Sequence, residues 1–422
     1  MLKSHRIALR PTAEQESRFA QHAGYARFAY NWALGEFQAG LEVGEWLTER
    51  TLRPRWNRVK GMIAPWGREL SQNAAKYPII DFGQAVNAWG KYRQRVKAGQ
   101  RQGRRVGFPR FKRRKHEQGF RADNGPDTVK VNGKEVLLPK IGRVAMVECL
   151  RFAGNIREVT INRTAGTWFA SFCVEDGQEL PRVKEGPTMG VDVGVGTMAT
   201  CSDGTVVENP KALTSGLKKL RRLDQAIARS RKVHGKSVRS NRRDRLYARR
   251  RRLQARLVNV RNDNHHKATT AIAKSAGRVV VETLNVTGMI RNRRLARAIA
   301  DAGMSGFLAR LEYKCLWYGA EYVKADRWFA SSKLCALCGW RNEDLTLSER
   351  AWWCGGCGVL NNRDYNAALN LSNWPGLSFP VTGRGDRVRP AAPAVACEAS
   401  SESGPGVWAP AKLEYQISSD FR

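Results

Sequence analysis

Two cysteine pairs and three widely separated acids are the residues of this chain whose types and spacing best suit chemistry. Cys335-Ala-Leu-Cys338 is followed, after fifteen residues, by Cys354-Gly-Gly-Cys357. This is zinc-ribbon spacing: four thiolates fill a tetrahedral shell, leave no open position for a substrate and so point to a structural metal. Gly339 and Gly358 each follow the second cysteine of a pair, where a tight turn lets backbone N–H groups face the sulfurs. A redox dithiol would not need two copies.

The acids are more ambiguous singly. Asp192 stands in TMGVDVGVGTMAT, residues 188–200, a run that reads as a buried strand with one charge out of place. A lone buried carboxylate is costly unless something pairs with it, and a divalent cation is one such partner. An aspartate beside a turn is the other reading. Glu282 closes a second apolar strand, GRVVVETLN. Asp364 sits near the first turn of a helix opening at NNRDYNAALN, where the helix dipole alone would favour an acid. Together the three form a possible carboxylate set.

The elements that must position these groups follow from periodicity. SHRIALR, residues 4–10, reads as a strand, broken by Pro11 before a helix that Thr12 can cap. From Ala13 to about Tyr92 the pattern is helical, with Trp46, Trp56, Trp66, Trp89 and Tyr92 expected in the core rather than as base-stacking platforms. Residues 127–176 change to strand periodicity, with Asn132-Gly133 and Ala165-Gly166 as turns, which predicts a small barrel or sandwich that the first strand can join. Beyond a linker at Pro181 to Pro187, a hairpin starts with the strand of Asp192. Leu217 to Lys267 then predicts two antiparallel helices with an apolar seam and a basic outer face. A strand to Glu282, a helix over about Leu295 to Gly319 and a strand over Glu321 to Lys324 complete an α/β order.

Charge narrows the partners. The 422 residues carry 73 Lys+Arg against 38 Asp+Glu, a formal net charge of +35. Such an excess repels itself without a polyanion, which favours nucleic acid over an acidic membrane surface. The run KAGQRQGRRVGFPRFKRRK, residues 97–115, interleaves Phe108 and Phe111 with arginines, and Arg104, Arg105, Arg110, Lys112 and Arg113 are candidate phosphate contacts. Arg242, Arg243, Arg249 and Arg250 are the candidates within the basic helices. No leader-like apolar segment opens the chain and no run is long enough to span a bilayer, so a reducing cytoplasmic, nucleoid-associated location is expected. The segment after about Pro375 is rich in Pro, Ser, Gly and Ala and reads as a disordered tail without a catalytic role.

The ordered motifs GVDVGVGTMATCSDG, VVVETLNVTGMIRNRRLARAIADAG, LEYKCLWYGAEYVKADRWFASSKLCALCGW and CGGCGVLNNRDYNAALN, with the earlier RFAYNWAL and GFPRFKRR, resemble the TnpB family of insertion-sequence-encoded RNA-guided nucleases related to type V CRISPR effectors. The resemblance covers most of residues 1–372. It implies a multi-domain α+β protein: a RuvC-type catalytic domain of RNase H-like α/β fold over 186–328 and 361–375, with a zinc ribbon, 329–360, inserted. It further implies a wedge β-barrel from 1–12 and 116–185 carrying a helical recognition lobe, 13–115, and leaves 376–422 as the tail.

Carried over by position, the family's catalytic and Mg²⁺-holding acids are Asp192, Glu282 and Asp364, and its zinc ligands are Cys335, Cys338, Cys354 and Cys357. Two Mg²⁺ ions about 4 Å apart stabilise the attacking and leaving oxygens in such phosphodiester hydrolysis. Asp192 is expected to bridge them, with Glu282 and Asp364 each holding one side and Gly190, Gly194 and Gly196 leaving room for the scissile phosphate. The implied partners are a guide RNA transcribed near the transposon end and a double-stranded DNA target, read by base pairing beside a short flanking motif. One departure is the Asn361-Asn362 pair, where many members have His or Asp before the Arg-Asp pair. A guide-dependent repressor that does not cleave would keep the basic surfaces and lose acids, and a transposase or its accessory protein is a further alternative; all three acids are present.

Overall fold

The computed structural model describes residues 1–100, 105–114, 119–123, 128–235, 240–346 and 348–374, and these form two compact units that part between Gln178 and Glu179. Arg104 and the tail beyond residue 374 lie outside the described residues. Among those described, no helix is long and apolar enough to cross a membrane.

The first unit opens with β1 (Leu2–Arg10), followed by α1 (Ala13–Glu42), α2 (Glu49–Ile63), a 3-10 turn at Pro65–Glu69 and α3 (Asn73–Lys97). Thr12 starts α1 with a reciprocal box: its hydroxyl accepts from Gln15 N–H, and the Gln15 side chain accepts from Thr12 N–H. Six strands follow: β2 (Gly119–Asp123), β3 (Lys130–Asn132), β4 (Glu135–Leu138), β5 (Gly142–Met146), β6 (Asn155–Thr164) and β7 (Thr167–Glu175). At the β6–β7 hairpin, Ala165 and Gly166 both take positive φ, as the twist of a two-residue turn requires.

The seven strands are ordered β2-β6-β7-β1-β5-β4-β3, and the two outer strands are not bonded to each other. The expected barrel is therefore an open sheet. The reason lies in β1 and the helices. Leu2 to Ala8 pair with β7, but only Leu9 and Arg10 reach β5, so the short strands β3 to β5 join by a narrow edge. The face that a barrel would bury by closing on itself is covered instead by helices: Phe19 of α1 packs on Phe120 of β2 and Trp168 of β7 with ring centroids 6.1 and 5.0 Å apart. Helices and sheet share one core, running from Ile7 through Phe37 and Phe82 to Phe172. Trp56 is buried in it, as expected, whereas Trp46 and Trp66 are nearly half exposed, and Trp46 stacks parallel to Trp89.

The second unit contains β8 (Thr188–Asp192), β9 (Thr197–Cys201), β10 (Val206–Glu208), α4 (Ala212–His234), α5 (Asn241–Ser275), β11 (Arg278–Val281), α6 (Val286–Ile290), α7 (Ala296–Ala302), α8 (Met304–Tyr318), β12 (Glu321–Lys324), β13 (Ala351–Trp353), β14 (Leu360–Asn362) and α9 (Arg363–Ser372). Its sheet is ordered β10-β9-β8-β11-β12, with β8, β11 and β12 parallel and the β8–β9–β10 meander antiparallel. The α4–α5 hairpin is antiparallel: Asp224 meets Arg250 and Arg231 meets Tyr247, over a seam containing Leu213, Leu220 and Leu257. The single helix expected over Leu295 to Gly319 is broken at Gly303, which takes φ +65° and ends α7. His265 and Arg261 of α5 close that end by donating to the carbonyls of Ala302 and Ala300.

Candidate functional site

The parallel pairing of β8 and β11 decides where two of the acids stand. Val191 lies opposite Val281, so Asp192, the last residue of β8, and Glu282, the residue after β11, occupy neighbouring positions at the carboxyl ends of adjacent parallel strands. Open α/β sheets characteristically place their sites at such an edge. The third acid arrives from the far end of the described chain. Asn362 caps α9 by accepting from Tyr365 N–H, and this sets Asp364 in the first turn.

Gly190 lets that helix come close. A Cβ there would lie 1.9 Å from the Ala368 carbonyl and 2.5 Å from Ser372 N, so the backbone of α9 packs directly on β8. The room expected for a scissile phosphate at this glycine is taken by the helix that carries Asp364.

The charges of the three acids act on one another. The Asp192 carboxyl is pushed up to about 8, first by loss of water around it and then by the negative charges of Glu282 and Asp364; Arg363 and Arg350 oppose the shift. A half-buried acid crowded by two others is a site short of positive charge. Arg350 supplies part of it, its Nη1 3.4 Å from Asp364 Oδ1. Ser331, almost wholly buried, donates its hydroxyl to Glu282 Oε1. Sequence reasoning missed Arg350 and Ser331. The only available signal for Ser331 was the SSK run just ahead of the first cysteine pair.

The cysteines converge. The four sulfurs of Cys335, Cys338, Cys354 and Cys357 lie within 4.8 Å of one another, with Cys335–Cys357 at 3.7 Å and Cys338–Cys354 at 3.4 Å. A tetrahedron with Zn–S bonds of about 2.3 Å has sulfur–sulfur edges of about 3.8 Å. Gly339 and Gly358 take positive φ and return their N–H groups to the carbonyls of Cys335 and Cys354. Burial alone would raise the Cys335 thiol, but N–H groups of Cys338 and Leu337 and the Asn361 amide hold it down to about 6. At Cys357 the Val359 N–H favours the thiolate, yet burial and the three neighbouring sulfurs push the thiol up to about 12. The four cannot ionise together without a cation among them, so the donor set fits a metal. Asn361 donates to Cys335 Sγ at 3.6 Å and Asn362 is the α9 cap, which gives both residues of the unusual Asn pair a local task.

The candidate nucleic-acid contacts divide by exposure. Arg105, Arg110, Arg113, Arg242 and Arg249 are exposed. Lys112 is half-buried over the Tyr30 ring, 4.3 Å from its centroid. Arg243 is buried and donates to the Gly235 carbonyl, while Arg250 is turned to Asp224 at 2.6 Å and to Gln254. These two are spent on closing the α4–α5 hairpin.

A mixed α/β chain of several domains, with acids at the carboxyl edge of a parallel strand pair beside a four-cysteine cluster, defines the class. Residues 171–293 match the IS605 OrfB family, described as "Probable transposase"; residues 305–371 match "Cas12f1-like, TNB domain"; and residues 1–42 match a "Helix-turn-helix domain", although the structure places one strand and one long helix there. A "Putative RNA-guided DNA endonuclease" of Mycobacterium tuberculosis (strain H37Rv) is 34% identical over 425 residues, spanning 90% of this chain and 88% of its own. "Putative RNA-guided DNA endonuclease InsQ" of Escherichia coli (strain K12) is 28% identical, spanning 88% and 91%. Among solved structures, a Cas12f1–sgRNA–target DNA complex is similar with a TM-score of 0.44 and 13% identity, covering 88% of this chain and 99% of that one. The chain belongs to the TnpB family of IS605-type transposon proteins.

Proposed function

We propose that this protein is an RNA-guided DNA endonuclease of an insertion sequence, cutting target DNA beside a short flanking motif. The observation that supports the reading is that Asp192 and Glu282 end adjacent parallel strands and that the charges of Glu282 and Asp364 raise the Asp192 carboxyl. In this reading residues 186–328 and 361–375 are a RuvC-type, RNase H-like domain, and 329–360 are a zinc ribbon held by Cys335, Cys338, Cys354 and Cys357. Residues 13–115 are the recognition lobe, and the open sheet of the first unit takes the place of the wedge.

Asp192, Glu282 and Asp364 would hold two Mg²⁺ ions, which when bound supply positive charge to the attacking and leaving oxygens of a phosphodiester. The chain's own part is to orient the acids. Ser331 fixes one oxygen of Glu282, Asn362 sets the turn that presents Asp364, and Asp192 is carried at the end of β8. Arg350 offers a cation at the rim, where a phosphate can compete for it with Asp364. Exposed Arg105, Arg110, Arg113, Arg242 and Arg249 are suited to the guide and heteroduplex backbone, whose sequence is read by base pairing.

The test is to purify the protein from its host, sequence the RNA that accompanies it, and present that complex with a DNA library of randomised flanks in Mg²⁺. Cleavage of guide-matched DNA beside one enriched flank is the expected result. A preparation carrying no defined RNA would overturn the guided reading.

A further inference from the structure

The segment that leads into the cysteine cluster is tied at one residue to the second acid and to the helix that bears the third. Ser331 is 2% exposed, and its hydroxyl donates to Glu282 Oε1. Its carbonyl faces the other way, toward α9. Asn370 Nδ2 donates to it at 2.7 Å and to the Leu334 carbonyl at 2.7 Å; Asn366 Nδ2 reaches the same two carbonyls at 3.5 and 2.6 Å. Residues four apart lie on one face of a helix, so these amides form a clamp on the face of α9 opposite the loop. Asn366 Oδ1 also accepts from Ala336 N–H at 2.8 Å, one residue past Cys335.

Both asparagines are buried, and a buried amide is expensive unless its donors and acceptor are used. Apolar residues would fill the space between α9 and the loop at lower cost. What only the amides and the hydroxyl supply is direction: the clamp holds the Ser331 backbone against the helix that bears Asp364, and the hydroxyl then fixes the rotation of the Glu282 carboxylate.

We propose that Ser331 is a positioning residue for Glu282, and that Asn366 and Asn370 make it so, linking the second acid, the helix that bears the third and the loop of the cysteine cluster in one hydrogen-bonded relay. The relay rests on reading the acids as cation ligands. Groups that orient metal ligands typically contribute about 10- to 100-fold to affinity.

The test measures Mn²⁺ binding to the zinc-loaded full chain without RNA, by the electron paramagnetic resonance signal of free Mn²⁺. Asp192→Ala and Glu282→Gln define the portion bound at the acids. Ser331→Ala should weaken that portion about tenfold while melting temperature and zinc content hold. Ser331→Thr, which keeps the hydroxyl, should restore most of it. Asn370→Asp should weaken binding too, and the double variant Ser331→Ala/Asn370→Asp should be no weaker than its worse single parent, because both act through one carboxylate. Unchanged Mn²⁺ affinity in Ser331→Ala, with the two acid variants impaired, overturns the relay and leaves the acid site standing. Unchanged affinity in Glu282→Gln as well overturns the acid site and the relay with it.

Discussion

Asp192 gathers most of the electrostatic cost of the site: its carboxyl is raised to about 8 by burial and by two like charges. Removing it takes away the acid on which the other two charges act while leaving the basic surfaces intact. Asp192→Ala is therefore expected to abolish cleavage of guide-matched DNA and to leave RNA binding unchanged, as read by gel cleavage and filter binding on one preparation. Parental-rate cleavage would defeat the assignment.

His265 is the second residue whose titration matters. Buried, and close to Arg310 and Arg261, it is pushed down to about 3 from 6.5; its Nε2 faces the Ala302 carbonyl and, among the described residues, its Nδ1 has no hydrogen-bond partner. The folded state keeps it neutral where the unfolded chain takes a proton. Its contribution is whole above pH 6.5 and is lost as pH falls toward 3. At pH 4.5 that loss amounts to about 3 kcal/mol. Urea unfolding across this window should show a shallower pH dependence in His265→Gln than in the parent.

Among elements, β8 and α9 form the tightest joint. Gly190→Ala puts a methyl group into the α9 backbone, and overpacking of this kind costs about 1–3 kcal/mol or more. A lowered melting temperature and a loss of cleavage larger than the stability change predicts are expected, because the helix displaced is the one that presents Asp364. The cysteine cluster reaches the same helix through Asn366, and the strand that leads into it through Asn361. Cys354→Ser, or zinc removal followed by colorimetric metal assay, should lower both melting temperature and cleavage; if neither moves, the coupling does not exist.

The elements were largely legible because their signals are local. The cysteine spacing, the Thr12 cap and the strand over Glu321 to Lys324 stand close to where periodicity and capping place them. What escaped depends on partners distant in sequence. Nothing around Gly190 names α9 as its neighbour, nothing in Ser331 names Glu282, and nothing in the strands of the first sheet names Phe19 as the residue that packs on Trp168. Likewise Arg243 and Arg250 read as surface cations until the hairpin supplies the Gly235 carbonyl and Asp224.

For the molecule as a whole, the net charge of +35 sets how it meets its partners. Each phosphate neutralised releases counterions, so affinity falls linearly in log–log with salt at about −0.7 per contact for single strands and −0.9 for duplex. RNA affinity measured across a salt series should show a steep slope that becomes shallower by about one contact in each of Arg242→Ala and Arg249→Ala, and that Arg243→Ala, whose guanidinium is buried, does not reduce.

The packing of α9 on Gly190 also orders events in time. A ribosome making this chain delivers Asp192 and Glu282 early, and both strands can pair while the rest is still being translated. The third acid emerges only with the last helix described here, and its seat on β8 stays bare until then. A message cut short, or a stalled ribosome, thus yields a chain that has Asp192 and Glu282 in place and lacks the helix that completes the set of three acids.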